Sequence, residues 1–203
     1  YNLEAVEVIK GPSSAYTGRG GTGGSINMQT KKPRLQRFAE VGAGFGTDGQ
    51  WRATLDGNLP FSETGAVRLN LMKMGGEVPG RGGVTIDRWA VAPTIAFGLG
   101  TPTRFTLGYS ELHNNDMPDQ GIPFSNASRP GRVTPPDVNR NNFYGRLNAD
   151  FRENTMKTAT ATFEHDFSSS LKLRNVTRHV DTLNHYLMTR PSFDHCTPST
   201  NPP

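Results

Sequence analysis

The run Gly18-Arg19-Gly20-Gly21-Thr22-Gly23 has the spacing G-x-G-x-x-G. In a dinucleotide-binding fold, that loop opens a helix whose N-terminus takes a pyrophosphate. The residues that follow do not suit a helix. From Ser25 to Thr30, Ile26 and Met28 alternate with Asn27 and Gln29, which is the period of a strand. Two readings of the glycines remain. Their backbone amides could form an anion-binding nest, or the loop could pass tightly under a wall that leaves no room for side chains. Elsewhere the reactive residues are dispersed. The histidines, His113, His165, His179, His185 and His195, lack metal-ligand spacing, and only His195 adjoins the single cysteine, Cys196. One cysteine excludes an internal disulfide and a multi-cysteine zinc site. Serine, histidine and aspartate occur without a nucleophile elbow. No metal site, cofactor or enzymatic activity is expected.

The elements that would carry these residues read as strands. Val6 to Ile9 is strand-like, and Gly11-Pro12 stops it. After a basic joint, Arg34 to Arg37, seven segments alternate. They run Phe38–Gly46, Gln50–Leu59, Ala66–Gly75, Arg88–Leu99, Thr103–Leu112, Thr155–Phe167 and Leu171 to about Met188. Thr47-Asp48-Gly49 signals a hairpin. Pro93 falls on an apolar face and removes one ladder bond. Along each segment one face is apolar: Leu69 and Leu71, Val91, Ile95 and Phe97, Leu107. The other is polar: Arg68 and Asn70, Thr94, Thr106. The expected fold class is all-β, an antiparallel up-and-down meander.

Composition narrows the setting. Hydrophobic residues are 33% of the chain, and no apolar run approaches the ~18 residues of a membrane helix. A transmembrane barrel has just such a polar average, because only alternate strand residues face lipid. A soluble sandwich also alternates. Two features favour the membrane. The turns at 60–65, 100–102 and 168–170 are short, whereas 76–87, 113–154 and the segment after 188 are long. A meander puts those sets at opposite ends, as outer-membrane barrels do. Aromatic residues Trp51, Trp89, Phe97, Phe105 and Phe167 also lie near strand ends, where an interfacial girdle belongs. The net charge is +4, but lysine and arginine are scattered rather than clustered with stacking aromatics, so nucleic acid is not an expected partner.

The stretch from Val6 to Pro33 resembles the end of the plug domain of TonB-dependent siderophore receptors. The resemblance rests on Val6-Glu7-x-Ile9-Lys10-Gly11-Pro12, a tyrosine and glycine-rich turn, and Gly23-Gly24-x-Ile26-Asn27-x-x-Thr30-Lys31. Thr17 stands between Tyr16 and Gly18, where many members have Tyr-Gly adjacent. The resemblance implies a fragment: residues 1–35 as the C-terminal part of a plug and 36–203 as the first part of a barrel. The complete barrel would have about twenty-two strands. It also implies a leader, a TonB box and most of the plug upstream, and localisation to the bacterial outer membrane. The expected partners are a ferric siderophore as cargo, TonB and outer-membrane lipid. Haem, cobalamin or a glycan as cargo, or a passive porin-like barrel, stand as alternatives.

For single residues the resemblance implies four things. Glu7 and Lys10 would form ion pairs locking plug to barrel. Tyr16 and Arg19, a phenol and a guanidinium suited to an anionic, oxygen-rich ligand, would lie on the floor of the ligand pocket. Met117–Phe124 and Asn142–Gly145 would belong to an outer loop, where Phe124, Phe143 and Tyr144 either touch the ligand or pack the loop on itself. Cys196 would lie in an outer loop, in an oxidising compartment, with its disulfide partner outside this stretch.

Overall fold

A computed structural model describes residues 1–12, 23–123 and 138–191, and these contain no helix. Two antiparallel sheets are present. The first is a hairpin of β1 (Leu3–Lys10) and β2 (Gly24–Thr30). The second is a seven-stranded meander in sequence order: β3 (Phe38–Phe45), β4 (Trp51–Pro60), β5 (Ala66–Glu77), β6 (Thr85–Phe97), β7 (Thr103–Asp116), β8 (Phe151–Asp166) and β9 (Lys172–Leu187). Each strand pairs with its predecessor, so short connections carry most of the register.

Local chemistry explains the turns. Asp48 (φ 57°) and Gly49 (φ 66°) both take positive φ, and the Gln50 amide donates to the Thr47 carbonyl at 3.2 Å. This is the primed turn that matches strand twist, and Asp-Gly suits it. Gly98 also has positive φ, and a Cβ there would lie 2.0 Å from the Thr103 carbonyl oxygen. The chain can therefore reverse into β7 only through glycine. At Pro93 the β5 side of the ladder is continuous. The β7 side lapses between Val91↔Glu111 and Thr94↔Gly108, as a residue without an N–H requires.

The strands are longer at the long-loop end than alternation suggests. β7 runs to Asp116 and β8 starts at Phe151, so the irregular connection is shorter than 113–154. Likewise β5 continues to Glu77 and β6 starts at Thr85. The added residues include Asn114, Asn115, Asp116, Arg152, Glu153 and Asn154. They are polar on both faces and give no period-two signal. Cross-strand partners hold them instead. Arg88 donates to Asp116 at 2.7–3.0 Å, and Thr155 Oγ1 meets His113 Nδ1 at 2.8 Å.

The wall is inside-out relative to a soluble protein. Register places even-numbered residues on one face and odd-numbered ones on the other throughout β3–β9. The even face buries Asp56, Asn58, Arg68, Asn70 and Asp116 among the small residues Ala66, Ala90, Ala92 and Ala96. The odd face exposes Val41, Leu71, Phe97, Phe105, Leu107 and Phe163. A sandwich would bury the second set and expose the first. An exposed apolar face of this extent needs an apolar solvent, so the wall is read as membrane-spanning.

Aromatic rows bound the apolar band. At the short-turn end Phe97, Phe105 and Phe163 are consecutive cross-strand partners, and Phe61 packs edge-on against Phe97 at 5.7 Å. Eight positions up β6, Trp89 stacks on His113 at 5.4 Å. That separation is about 26 Å along a strand, close to the height of a barrel's lipid-facing band once tilt is allowed for.

Candidate functional site: the junction of hairpin and wall

The hairpin meets the polar face of the wall at β4 and β5. Asp56 and Arg68 lie on adjacent strands, one register step apart diagonally. Arg68 Nε and Nη2 donate to the two Asp56 carboxylate oxygens at 2.8 and 2.7 Å, a fork-on-carboxylate pair. Both side chains are buried, 5% and 8% exposed. The remaining valences of this pair go to the hairpin and the segment leaving β2. Lys31 Nζ donates to Asp56 at 2.7 Å, and Arg68 Nη1 donates to the Lys32 carbonyl at 2.9 Å. Glu4, on β1, lies 3.7 Å from Arg68 and also accepts from Arg34. The Arg68 guanidinium sits 5.0 Å over the Phe38 ring, so its face is used as well as its edge.

Asn58 completes the junction. Its Nδ2 donates to the carbonyls of Arg34 and Gln36 at 2.7 and 2.6 Å, and its Oδ1 accepts from the Arg34 amide at 3.0 Å. One side chain thus stands in for the ladder partner that this irregular stretch lacks. Pro33 is buried beside it. A polar hollow of about 310 Å³ opens beside the network, lined by Tyr1, Lys31, Glu40, Arg52, Thr54 and Asp56.

A second polar cluster, built on one ion pair, gathers the long loops. Arg81 forks onto Asp119 with two 2.6 Å bonds and donates to the Arg140 carbonyl at 2.6 Å. Asp119 also accepts from the Gly121 amide at 2.8 Å. The Arg81 guanidinium holds the Asp119 carboxyl below the usual aspartate range. Asp150 accepts from the amides of Arg146 and Thr189 and from the Thr189 hydroxyl, at 2.7–3.0 Å. Burial alone would raise the Asp150 pKa, but these donors outweigh it and the net shift is downward.

The residues singled out from sequence fall as follows. Glu7 accepts from Asn27 Nδ2 and Gln29 Nε2, both at 2.9 Å, within its own hairpin. Lys10 ends β1 opposite Gly24. Among the described residues, ion pairs from the hairpin and its exit to the wall are made by Glu4 with Arg68 and by Lys31 with Asp56. Phe143 and Tyr144 are half-buried. The Tyr144 hydroxyl donates to the Asn139 carbonyl at 2.8 Å, and the Phe143 ring lies over Gly145. Tyr16, Arg19, Phe124 and Cys196 lie outside the described residues. Asp56, Asn58 and Arg68 were legible as polar-face residues but not as a site. The short 61–65 turn, which pairs Pro60 with Ala66, was the signal that would have put them together.

A meander with a polar inner face, a lipid-type outer face and a separate hairpin bound across the inside defines a barrel wall with an internal plug. No family model matches the chain. Among curated proteins, a probable TonB-dependent receptor, BfrD, of Bordetella pertussis is 42% identical over 88% of this chain and 24% of its own length. The catecholate siderophore receptor Fiu of Escherichia coli K12 is 40% identical over 93% of this chain and 26% of its own length. The crystal structure of the siderophore receptor PiuA from Acinetobacter baumannii superposes with a TM-score of 0.86 at 37% identity. That match covers 93% of this chain and 27% of PiuA. The chain therefore spans about a quarter of the length of the relatives it matches. Over that stretch it belongs to the TonB-dependent siderophore receptors, as an open part of their barrel. These relatives are transport receptors rather than enzymes.

Proposed function

We propose that this chain is the plug-to-barrel junction and the first barrel strands of an outer-membrane receptor that imports ferric siderophores with energy from TonB. The division falls near residue 35, where Asn58 grips the linker. The observation that carries the reading is the buried Asp56–Arg68 network, spent on Lys31, the Lys32 carbonyl and Glu4. A plugged transporter needs its plug tethered to the inner wall, and an open porin does not. The names of the relatives favour catecholates as the siderophore class. No bond is made or broken; no resident cofactor is needed, and the iron complex is cargo. In this reading Glu7 and Lys10 meet wall strands beyond β9, Tyr16, Arg19, Phe124, Phe143 and Tyr144 face the cargo, and Cys196 bonds a cysteine outside this stretch.

The test is uptake of radiolabelled ferric catecholate by cells carrying the full-length receptor. Uptake should require both the receptor and TonB. Tyr16→Ala and Arg19→Ala should each weaken binding without altering folding. Unchanged ferric-catecholate uptake on deletion, with lost haem or cobalamin uptake, would assign another cargo. Flux that persists without TonB would make the barrel passive.

A further inference from the structure

Arg81 is held in place by contacts that do not involve Asp119. It lies in the connection between β5 and β6, in a turn closed by its own backbone. The Val78 amide donates to the Val84 carbonyl at 2.8 Å, the Arg81 amide to the Val78 carbonyl at 3.0 Å, and the Val84 amide to the Arg81 carbonyl at 3.1 Å. Gly80 and Gly83 flank Arg81 at positive φ (69° and 82°), which glycine adopts without steric cost. On the side chain, Nη1 donates to the Arg140 carbonyl at 2.6 Å. That bond pins one edge of the guanidinium. The other edge, Nε with Nη2, is presented as a fork.

Asp119 enters that fork from a different loop, the connection between β7 and β8. Its carboxylate accepts both fork donors at 2.6 Å and the Gly121 amide at 2.8 Å, so it arrives on a short turn bonded to itself. The pair is 13% and 22% exposed, and ion pairs that water reaches hold weakly. Tyr144 lies within electrostatic reach of the guanidinium, which sets an aromatic ring near the fork. Cargo entering from outside passes the long-loop end, where these residues stand. An iron-bound catecholate carries two neighbouring oxygens with negative charge on a flat ring, the feature that a carboxylate offers to arginine. We propose that Asp119 is an internal stand-in for the cargo, holding the Arg81 fork until an anionic ferric catecholate displaces it and takes the same donors beside Tyr144. The Arg140 carbonyl keeps the guanidinium in place during the exchange, and the segment carrying Asp119 is released. The inference rests on the ferric-catecholate reading above.

A latch with no part in binding would respond alike to the loss of either partner, whereas a displaced stand-in makes the two losses opposite in sign. The experiment is equilibrium binding of iron(III) tris-catecholate to the full-length receptor in detergent, followed by tryptophan quenching. Arg81→Gln should weaken binding by about tenfold, the loss expected of a charge-assisted contact. Asp119→Asn should instead tighten it by about threefold, since the competing ion pair is a weak one. Arg81→Lys keeps the charge without the fork and should recover only part of the loss. In the double variant the gain should vanish, leaving the affinity of Arg81→Gln alone. Affinity that falls in both single variants, that is unchanged in Asp119→Asn, or that still rises in the double variant over Arg81→Gln would overturn the displacement. Heat-modifiable migration of each sample checks that its barrel is folded. A folded wild type that binds no iron(III) tris-catecholate would remove the catecholate reading itself, and the displacement with it.

Discussion

The two ends of the wall use the same pair of side chains to opposite effect. At the junction Arg68 forks onto Asp56, and among the long loops Arg81 forks onto Asp119. Geometry barely distinguishes them; surroundings do. The junction pair is 5% and 8% exposed, and the loop pair 13% and 22%. Removing one partner from the first strands a charge where water does not reach it. Removing one from the second leaves a charge that water can solvate. The junction is therefore built to stay, whereas the loop cluster can open at low cost.

That contrast is broken most readily at Asp56. Asp56→Ala leaves Arg68 and Lys31 without their shared anion and should destabilise the full-length receptor by roughly 3–5 kcal/mol, read from urea unfolding in lipid vesicles. A loss no larger than that of Asp119→Ala would show that the two pairs are equivalent. The facing of the wall comes next. Leu107→Arg should cost roughly 2–4 kcal/mol in the same assay if Leu107 lies near mid-membrane, while Thr106→Arg, one residue away on the polar face, should cost clearly less. Equal costs would mean that the inside-out assignment is wrong.

The smallest effect is expected at the loops. Asp119→Asn should cost about 1 kcal/mol, seen as faster amide exchange at Arg81–Gly83 with the barrel unaffected. Because the folded Asp119 pKa is depressed, its contribution is present above the unfolded value of about 3.9. It is lost as pH falls below that value through the folded one. Loop protection that instead faded between pH 6 and 8 would point to another group.

Much of the wall was legible from residue types alone. Period two, the Asp48-Gly49 turn and the short connections place five of the seven strands within about three residues at each end, where apolar and polar residues alternate. Legibility failed at β7 and β8, where Asn114–Asp116 and Arg152–Asn154 are polar on both faces. There the strand is set by partners across the ladder, which a linear pattern does not display. The plug stretch was legible through its motif, but the tether was not. Glu7 sits in that motif and bonds within its hairpin, whereas Glu4, in no motif, and Lys31, which closes the motif, pair with the wall, and Asn58 of the wall holds the linker.

By itself, then, the order of residues determined that this chain would form strands, where most of them turn, and that each would carry one apolar and one polar face. Those are properties of neighbours along the chain, governed by backbone sterics and the pleat. Which face is buried was decided only in three dimensions. A single strand with Leu69 on one side and Arg68 on the other serves a sandwich or a membrane barrel equally well. Only the stacking of seven polar faces, with Asp56, Asn58 and Arg68 closed over by the hairpin's own exit segment, made the polar side the interior and left the apolar side to lipid. The energetic reason is that a buried charge survives only where its partners converge from elsewhere in the chain.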